Sequence, residues 1–385
     1  MDGTPRIEAT LVDANNVLVA SPELERLDFF GAVTDELGDV AGKTVYLTGD
    51  ISKFRGRLAT AARVFVIEEL SRNFDGPTVP LGRAPIRVGG GVYYRRFFAD
   101  DYFHRITAEH TFQTLTESVK PSKAHRTGIY LTPVTRREDE LHFRLLRCST
   151  NLSGPTENFG ATDHHIVDAL NAEAAVIFRD HAPLNHVLAQ LYANTPASGG
   201  RKQTKAKISA HADKTKDMPT NGIMAFCTFY DGLDKLSPLD AFDHGYKGKT
   251  GLTRLQFRRK APREDLLPEF SITLYPGSVF FMPLSTNRHY SHELQASMLN
   301  AETLPTRLGY VVRCSKTEAV HAGGRTFLTI DGQRVPLEPP TPDGMAALRE
   351  LYAAENRSDA FIDYGDRFRF SMNQGDYRAP DPKHG

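Results

Sequence analysis

The sequence predicts an α+β chain with an antiparallel sandwich or jelly roll at its core, extended by α/β segments before it and a helix after it. Three observations point there. Residues 186 to 314 break into many short β-forming runs separated by Gly, Pro and polar turns. Helical spacing of apolar residues is confined to a few segments outside that stretch. At 385 residues the chain is long enough for one large, decorated domain with a sizeable core. The expected organisation is an N-terminal α/β extension over 1–120 packed on the core, a jelly-roll domain over 121–335, and a C-terminal helix and tail over 336–385.

In chain order, residues 44–48 read as a short strand. Leu58, Ala61, Ala62, Phe65, Glu69 and Leu70 follow helical spacing and predict a helix over 58–72. Gly89, Gly90 and Gly91 read as a turn before the aromatic segment 92–98, since no lysine or strand-to-helix context makes them a phosphate loop. Residues 128–134 and 141–148, parted by a charged stretch, have the pattern of a hairpin. Thr162 or Asp163 caps a helix that continues through Ile166, Val167, Leu170 and Ala174. His164 and His165 fall about 100° apart in its first turn, too divergent to share a metal, and read as surface residues. The predicted strands of the core are 187–192, 207–212, 223–230, 252–258, 270–275, 279–283 and 308–314. A last strand at 326–330 and a helix over 343–354 follow, and the polar residues 375–385 read as a frayed end.

Charge and cysteine content narrow the class. Forty-seven basic and 47 acidic residues cancel, so no global field draws the chain to nucleic acid or an anionic membrane. Cys148, Cys227 and Cys314 are odd in number and sit in apolar runs, which suits buried thiols rather than a disulfide framework. The first ten residues lack the apolar core of a signal peptide, and no run approaches membrane-spanning length. A soluble intracellular protein, cytoplasmic or nuclear, is the expectation.

The candidate site lies between Leu188 and Ser315. His211-Ala-Asp213 puts an imidazole and a carboxylate on one face of a predicted strand, as two ligands of one metal require. The second imidazole, His292, closes a unit of strand, Pro-Gly turn, apolar strand and polar loop that starts at Tyr275. Two histidines and one carboxylate form a facial set for Fe(II) that leaves positions open. Arg307 and Arg313 follow, and a guanidinium holds a carboxylate through two parallel hydrogen bonds, so the pair reads as the clamp for a dicarboxylate cosubstrate, 2-oxoglutarate. His244 and His321 compete as ligands, but each lies in a glycine-containing loop without a paired acidic neighbour. The bland reading keeps the histidines as satisfied polar residues of an ordinary sandwich and the arginines on its solvated face; it explains each residue but not their joint order.

These residues resemble the AlkB-type branch of the iron and 2-oxoglutarate-dependent dioxygenases, over about a third of the chain. An apolar strand ending in Tyr192, then His211-x-Asp213, the unit ending at His292, and Arg307 with five residues before Arg313 carry the resemblance. It implies a double-stranded β-helix (jelly roll), iron held by His211, Asp213 and His292, the far carboxylate of 2-oxoglutarate held by Arg307 with Tyr192, and Arg313 beside the chelating end. Gln190 stands where the family usually has a cosubstrate-contacting asparagine, and Gly309 stands where the arginine motif usually has another. The 81 residues from His211 to His292 exceed the usual spacing, with the excess placed in 231–251 and 260–269.

The implied chemistry consumes O2 and 2-oxoglutarate, releases succinate and CO2, and hydroxylates a C–H bond; a methyl on nitrogen would leave as formaldehyde. An alkylated base in DNA or RNA is the reference substrate, with Arg201, Lys202, Lys205, Lys207, Arg254, Arg258, Arg259, Lys260 and Arg263 as phosphate contacts. Zero net charge and the absence of tryptophan weigh against it. A small-molecule hydroxylase, for an amino acid or another metabolite, is the alternative. A jelly-roll binding module without catalysis is the third reading.

Overall fold

Ile223–Asp231 shows how the core is organised, because its side chains alternate between two apolar clusters. Ala225, Cys227 and Phe229 face one cluster, whereas Met224 and Phe226 face the other. The computed structural model describes residues 7–383 apart from 13–14, 21–27, 50–53, 55, 68–80, 116–125, 149–151 and 241. It is a mixed α/β chain dominated by antiparallel sheets.

The largest sheet has eight strands, in the order Ile86–Val88, Gly91–Tyr94, Val279–Pro283, Ile223–Asp231, Thr306–Arg313, His186–Tyr192, Arg126–Leu131 and Gln113–Thr114. A second sheet of four runs Ile208–His211, Tyr290–Gln295, Arg254–Arg259 and Glu269–Thr273. Between His186 and Arg313 the chain passes back and forth between these two sheets, and Met224, Phe226, Phe280 and Met282 meet Leu255, Phe257, Ile272 and Tyr290 in the layer between them. The opposite face of the eight-stranded sheet is covered by the helix Ala161–Ile177, through Ile166, Val167, Leu170, Ala174 and Ile177. Each large aliphatic side chain buried there stabilises by roughly 1.5–3 kcal/mol.

Around this core sit a parallel sheet (Ala32–Thr34, Asn16–Val19, Thr44–Leu47, Arg63–Val66), a five-stranded sheet that includes Glu140–Leu145 and Thr317–Ala322, and the helix Pro342–Arg357. The strands at 86–94 and 113–114 belong to the eight-stranded sheet, so the N-terminal third contributes directly to the core. Gly89 and Gly90, both at positive φ, turn the chain between two of these strands.

Several expectations are corrected. Residues 58–67 form no helix; Arg63–Val66 is a strand parallel to Thr44–Leu47, and positions 68–72 lie outside the described residues. Val64 and Val66 pack with Val45 and Leu47, while Phe65 stacks on Tyr46 from the other face, so strand alternation prevails over the helical spacing. The expected hairpin of 128–134 with 141–148 is absent. Arg126–Leu131 pairs with His186–Tyr192, and Glu140–Leu145 pairs with Thr317–Ala322. Pro133, which has no N–H to give a ladder, separates the two. The N-cap of Ala161–Ile177 is Gly160, whose N–H donates to the Asp163 carboxylate at 2.7 Å. The polar stretch before His292 is not a loop but ends in a short helix, Leu284–His289, and His292 itself lies in the strand Tyr290–Gln295. The C-terminal segment is not frayed through 383: the Asn373 side chain accepts from the Leu152 N–H at 2.8 Å, and Asp376 is buried.

Candidate metal centre

The strand Ile208–His211 ends at His211, directly opposite His292 of Tyr290–Gln295. Asp213 lies two residues past the strand's end, so the shared strand face predicted for His211 and Asp213 is not what brings them together. The loop is held instead by Asn287, whose side-chain oxygen accepts from the Asp213 N–H at 2.8 Å and whose amide donates to the Asp213 carbonyl at 2.9 Å. The helix Pro342–Arg357 fixes the flanks: Asn356 accepts from the Ala212 N–H at 2.9 Å, and Glu355 from the Thr215 N–H at 3.1 Å.

His211, Asp213 and His292 present ligand atoms that all lie within 4.8 Å of one another. The two imidazole centroids are 4.4 Å apart, and His211 Nε2 is 3.8 Å from Asp213 Oδ1. His211 Nδ1 is engaged with the Ser209 carbonyl at 2.9 Å, which leaves Nε2 as its ligand atom. His292 is 4% exposed, lies between Phe226 and Phe257, and its Nδ1 has no hydrogen-bond partner.

Electrostatics prepare all three groups to bind a cation. Burial, and then the neighbouring His211, push the His292 imidazole down to about 3, and burial also lowers His211. Both rings are neutral near pH 7, with lone pairs available. Burial opposes ionisation of Asp213, but Arg313 and the two imidazoles hold its carboxyl well below the usual carboxylate range. Arg313 Nη2 donates to Asp213 Oδ2 at 2.9 Å.

These groups line a cavity of about 310 Å³ that also contains Arg307, Tyr192 and Gln190. Arg307 is 5% exposed and its guanidinium lies 4.0 Å from the centre of the Tyr192 ring. Tyr192 in turn donates its hydroxyl to Gln190 Oε1 at 2.8 Å. No acidic side chain pairs with Arg307 among the described residues. Gly309 is what makes room: a Cβ there would stand 2.8 Å from Arg307 Nη1 and 3.1 Å from Tyr192 Cε2. The departure at Gly309 from the resembled motif therefore has a packing reason.

The competing histidines fall elsewhere. His321 bonds Thr326 Oγ1 at 3.0 Å in the five-stranded sheet, and His244 sits in a small sheet formed by part of 231–251; neither lines the cavity. His164 and His165 are exposed on their helix. Much of the predicted phosphate path is otherwise engaged. Lys205 donates to the Ser297 carbonyl at 2.7 Å, Lys260 to the Glu355 carbonyl at 2.7 Å and Arg259 to the Leu266 carbonyl at 2.8 Å. Arg258 and Arg263 are exposed but lie beside carboxylates, and Arg201, Lys202, Lys207 and Arg254 are exposed as well. All three cysteines are free and buried, as expected.

A second cluster was not anticipated: Glu109, His110 and Asp163 also present ligand atoms within 4.8 Å. Here both ring nitrogens are used, Nδ1 by Glu157 at 3.0 Å and Nε2 by Asp163 at 2.7 Å. Burial opposes charge on His110, but those hydrogen bonds outweigh it and raise the imidazole to about 9. An imidazolium has no lone pair for a metal, so this is an internal ion triad. Sequence reasoning missed it because His110 lies 47 and 53 residues before its partners Glu157 and Asp163, as it missed Asn287 and Asn356.

No family model and no curated protein matches the chain. Among solved structures, OsALKBH1 is similar over 59% of this chain and 98% of its own, at 12% identity and a TM-score of 0.33. The Fe(II)/α-ketoglutarate-dependent dioxygenase TqaL is similar over 56% of this chain and 74% of its own, at 10% identity and a TM-score of 0.25. Overlap this loose carries no weight for mechanism. Among the described residues, no helix is long and apolar enough to cross a membrane.

Proposed function

We propose that this chain is an Fe(II)/2-oxoglutarate-dependent dioxygenase built on a double-stranded β-helix, with the site residues within 121–335 and with 1–120 supplying further strands to the same core. One observation carries the reading: three convergent ligand atoms on the wall of a cavity whose other wall holds a buried, acid-free guanidinium. Fe(II) and 2-oxoglutarate, when bound, supply oxygen activation and C–H hydroxylation, with succinate and CO2 as products.

The residues fit those groups. Neutral His211 and His292 and ionised Asp213 are the donor set of a facial triad. Arg313 orients the Asp213 carboxylate from behind, and Asn287 fixes its backbone, so the ligand is held before any metal arrives. Arg307, stacked on Tyr192, receives the far carboxylate of the cosubstrate in its planar fork. Phe226 and Phe257 keep water from the flanks of His292.

For the substrate, the engagement of Lys205, Arg259 and Lys260 with partners of the chain itself favours a small molecule over a polynucleotide. Demethylation of an alkylated nucleobase is the second reading, supported by the exposed Arg201, Lys202, Lys207 and Arg254. A binding module without catalysis has no use for a prepared donor triad. The test is succinate formation by the Fe(II)-loaded protein in air, against methylated oligonucleotides and against carboxylate-bearing metabolites. Coupling to the metabolites is expected. Coupling only to oligonucleotides, with formaldehyde release, would establish the second reading, and no oxygen-dependent succinate in either panel would remove the dioxygenase reading.

A further inference from the structure

The cavity holds one more cation than its proposed contents require. Arg126, Lys214, Arg307 and Arg313 all line it, against the single carboxylate of Asp213. Two of these cations have partners in the chain. Arg313 bonds Asp213 through Nη2, although its buried Nε has no partner, and Lys214 donates to the Ala212 carbonyl and to Asn356. Arg307 takes the far carboxylate of 2-oxoglutarate if the reading above holds, and the near carboxylate goes to the metal. Arg126 is left.

Its position is fixed by register. Arg126 pairs with Tyr192, and Tyr192 pairs with Arg307, so the three stand in one row across adjacent strands on the cavity face of the sheet. Two interstrand spacings put the Arg126 and Arg307 strands roughly 10 Å apart, too far for both to serve one carboxylate by backbone placement alone. Arg126 Nε is cut off from solvent and has no hydrogen-bond partner, and no acidic side chain pairs with the guanidinium among the described residues. An enclosed donor of this kind is costly to leave unmet, and an anionic ligand group meets it. Leu115, Leu188, Ile208 and Leu294 give the same cavity apolar walls.

We propose that Arg126 is the substrate-recognition residue of this site, binding the carboxylate of a small acid whose apolar body lies along Leu115, Leu188, Ile208 and Leu294. The planar fork of one guanidinium matches one carboxylate, and among the described residues no second unengaged cation lines that wall to match a doubly charged phosphate. This rests on the dioxygenase reading for the assignment of Arg307.

The experiment is calorimetry on the full chain loaded with Mn(II) and 2-oxoglutarate, with phenylacetate, hexanoate and N-acetylleucine as probes, each beside its primary amide. Wild type is expected to bind at least one acid and to bind its amide about tenfold more weakly or worse. Arg126→Gln is expected to abolish that preference and Arg126→Lys to retain part of it, while the affinity for 2-oxoglutarate stays within about twofold in both. Three results overturn the proposal: no acid preferred over its amide by wild type, the preference unchanged in Arg126→Gln, or 2-oxoglutarate binding weakened about tenfold or more in Arg126→Gln, which would place Arg126 in the cosubstrate clamp. A single-stranded oligonucleotide whose binding depends on Arg126 while the acids do not bind also overturns it, in favour of phosphate. If wild type fails to bind 2-oxoglutarate at all, the reading underneath fails, and the metal-free protein still reports whether Arg126 discriminates acid from amide.

Discussion

At the scale of single residues, the site depends on a few groups whose surroundings set their protonation and aim. Arg307 has a stacked ring on one side and, among the described residues, no paired acid, which leaves its guanidinium open to a carboxylate ligand. Arg307→Lys keeps the charge but loses the fork and the stacking. It is expected to weaken 2-oxoglutarate binding by about 1.5–3 kcal/mol with Mn(II) affinity unchanged, measured by calorimetry. Gly309→Ala tests the same arrangement from the other side, since the new Cβ would displace Arg307 or Tyr192. Cosubstrate affinity should fall there too, and an unaltered value would show that the stacked geometry is not needed.

At the scale of elements, the triad is assembled by two paired strands, a loop and two helices rather than by strands alone. Asn287 on Leu284–His289 satisfies both backbone groups of Asp213, and its own carbonyl accepts from Lys260 at 3.0 Å. Asn287→Ala is expected to lower Mn(II) affinity about tenfold or more and to destabilise the fold by about 1–3 kcal/mol, read by calorimetry and urea unfolding. Loss of stability with metal affinity intact would make Asn287 merely structural. This division also explains what the sequence made legible. The core strands from His186 to Arg313 announce themselves by alternation and turns, and the triad residues by order along the chain. Asn287, Asn356 and Arg126 do not, because their roles come from contacts across 74, 144 and 66 residues, to Asp213, Ala212 and Tyr192. The strand Arg63–Val66 is hidden for a related reason: it is an edge strand whose Val64 and Val66 pack on one face and Phe65 on the other, which erases the polar half of the alternation.

At the scale of the whole molecule, the His110 triad links the helix Phe103–Glu109 to the helix Ala161–Ile177, and Tyr310 of the eight-stranded sheet donates to Asp163 at 2.6 Å. An imidazole raised to about 9 in the folded chain, against about 6.5 unfolded, stabilises the fold fully below pH about 6.5. That contribution, on the order of 3 kcal/mol, is lost as pH rises through about 9. Lys216 and Lys260, both lowered to about 8 mainly by burial, act in the opposite direction above that pH. The difference between wild type and His110→Gln isolates the histidine. Urea unfolding across pH 6–10 should show the wild type's advantage shrinking with pH, and a constant difference would contradict a charged His110.

The central claim is that His211, Asp213 and His292 form one metal site that recruits 2-oxoglutarate, and anaerobic calorimetry tests it most directly. Wild type titrated with Mn(II) and then with 2-oxoglutarate is expected to show one metal per chain and cosubstrate binding that requires the metal, with both lost in His211→Ala. Undiminished Mn(II) binding in His211→Ala, or 2-oxoglutarate binding that ignores the metal, would contradict it.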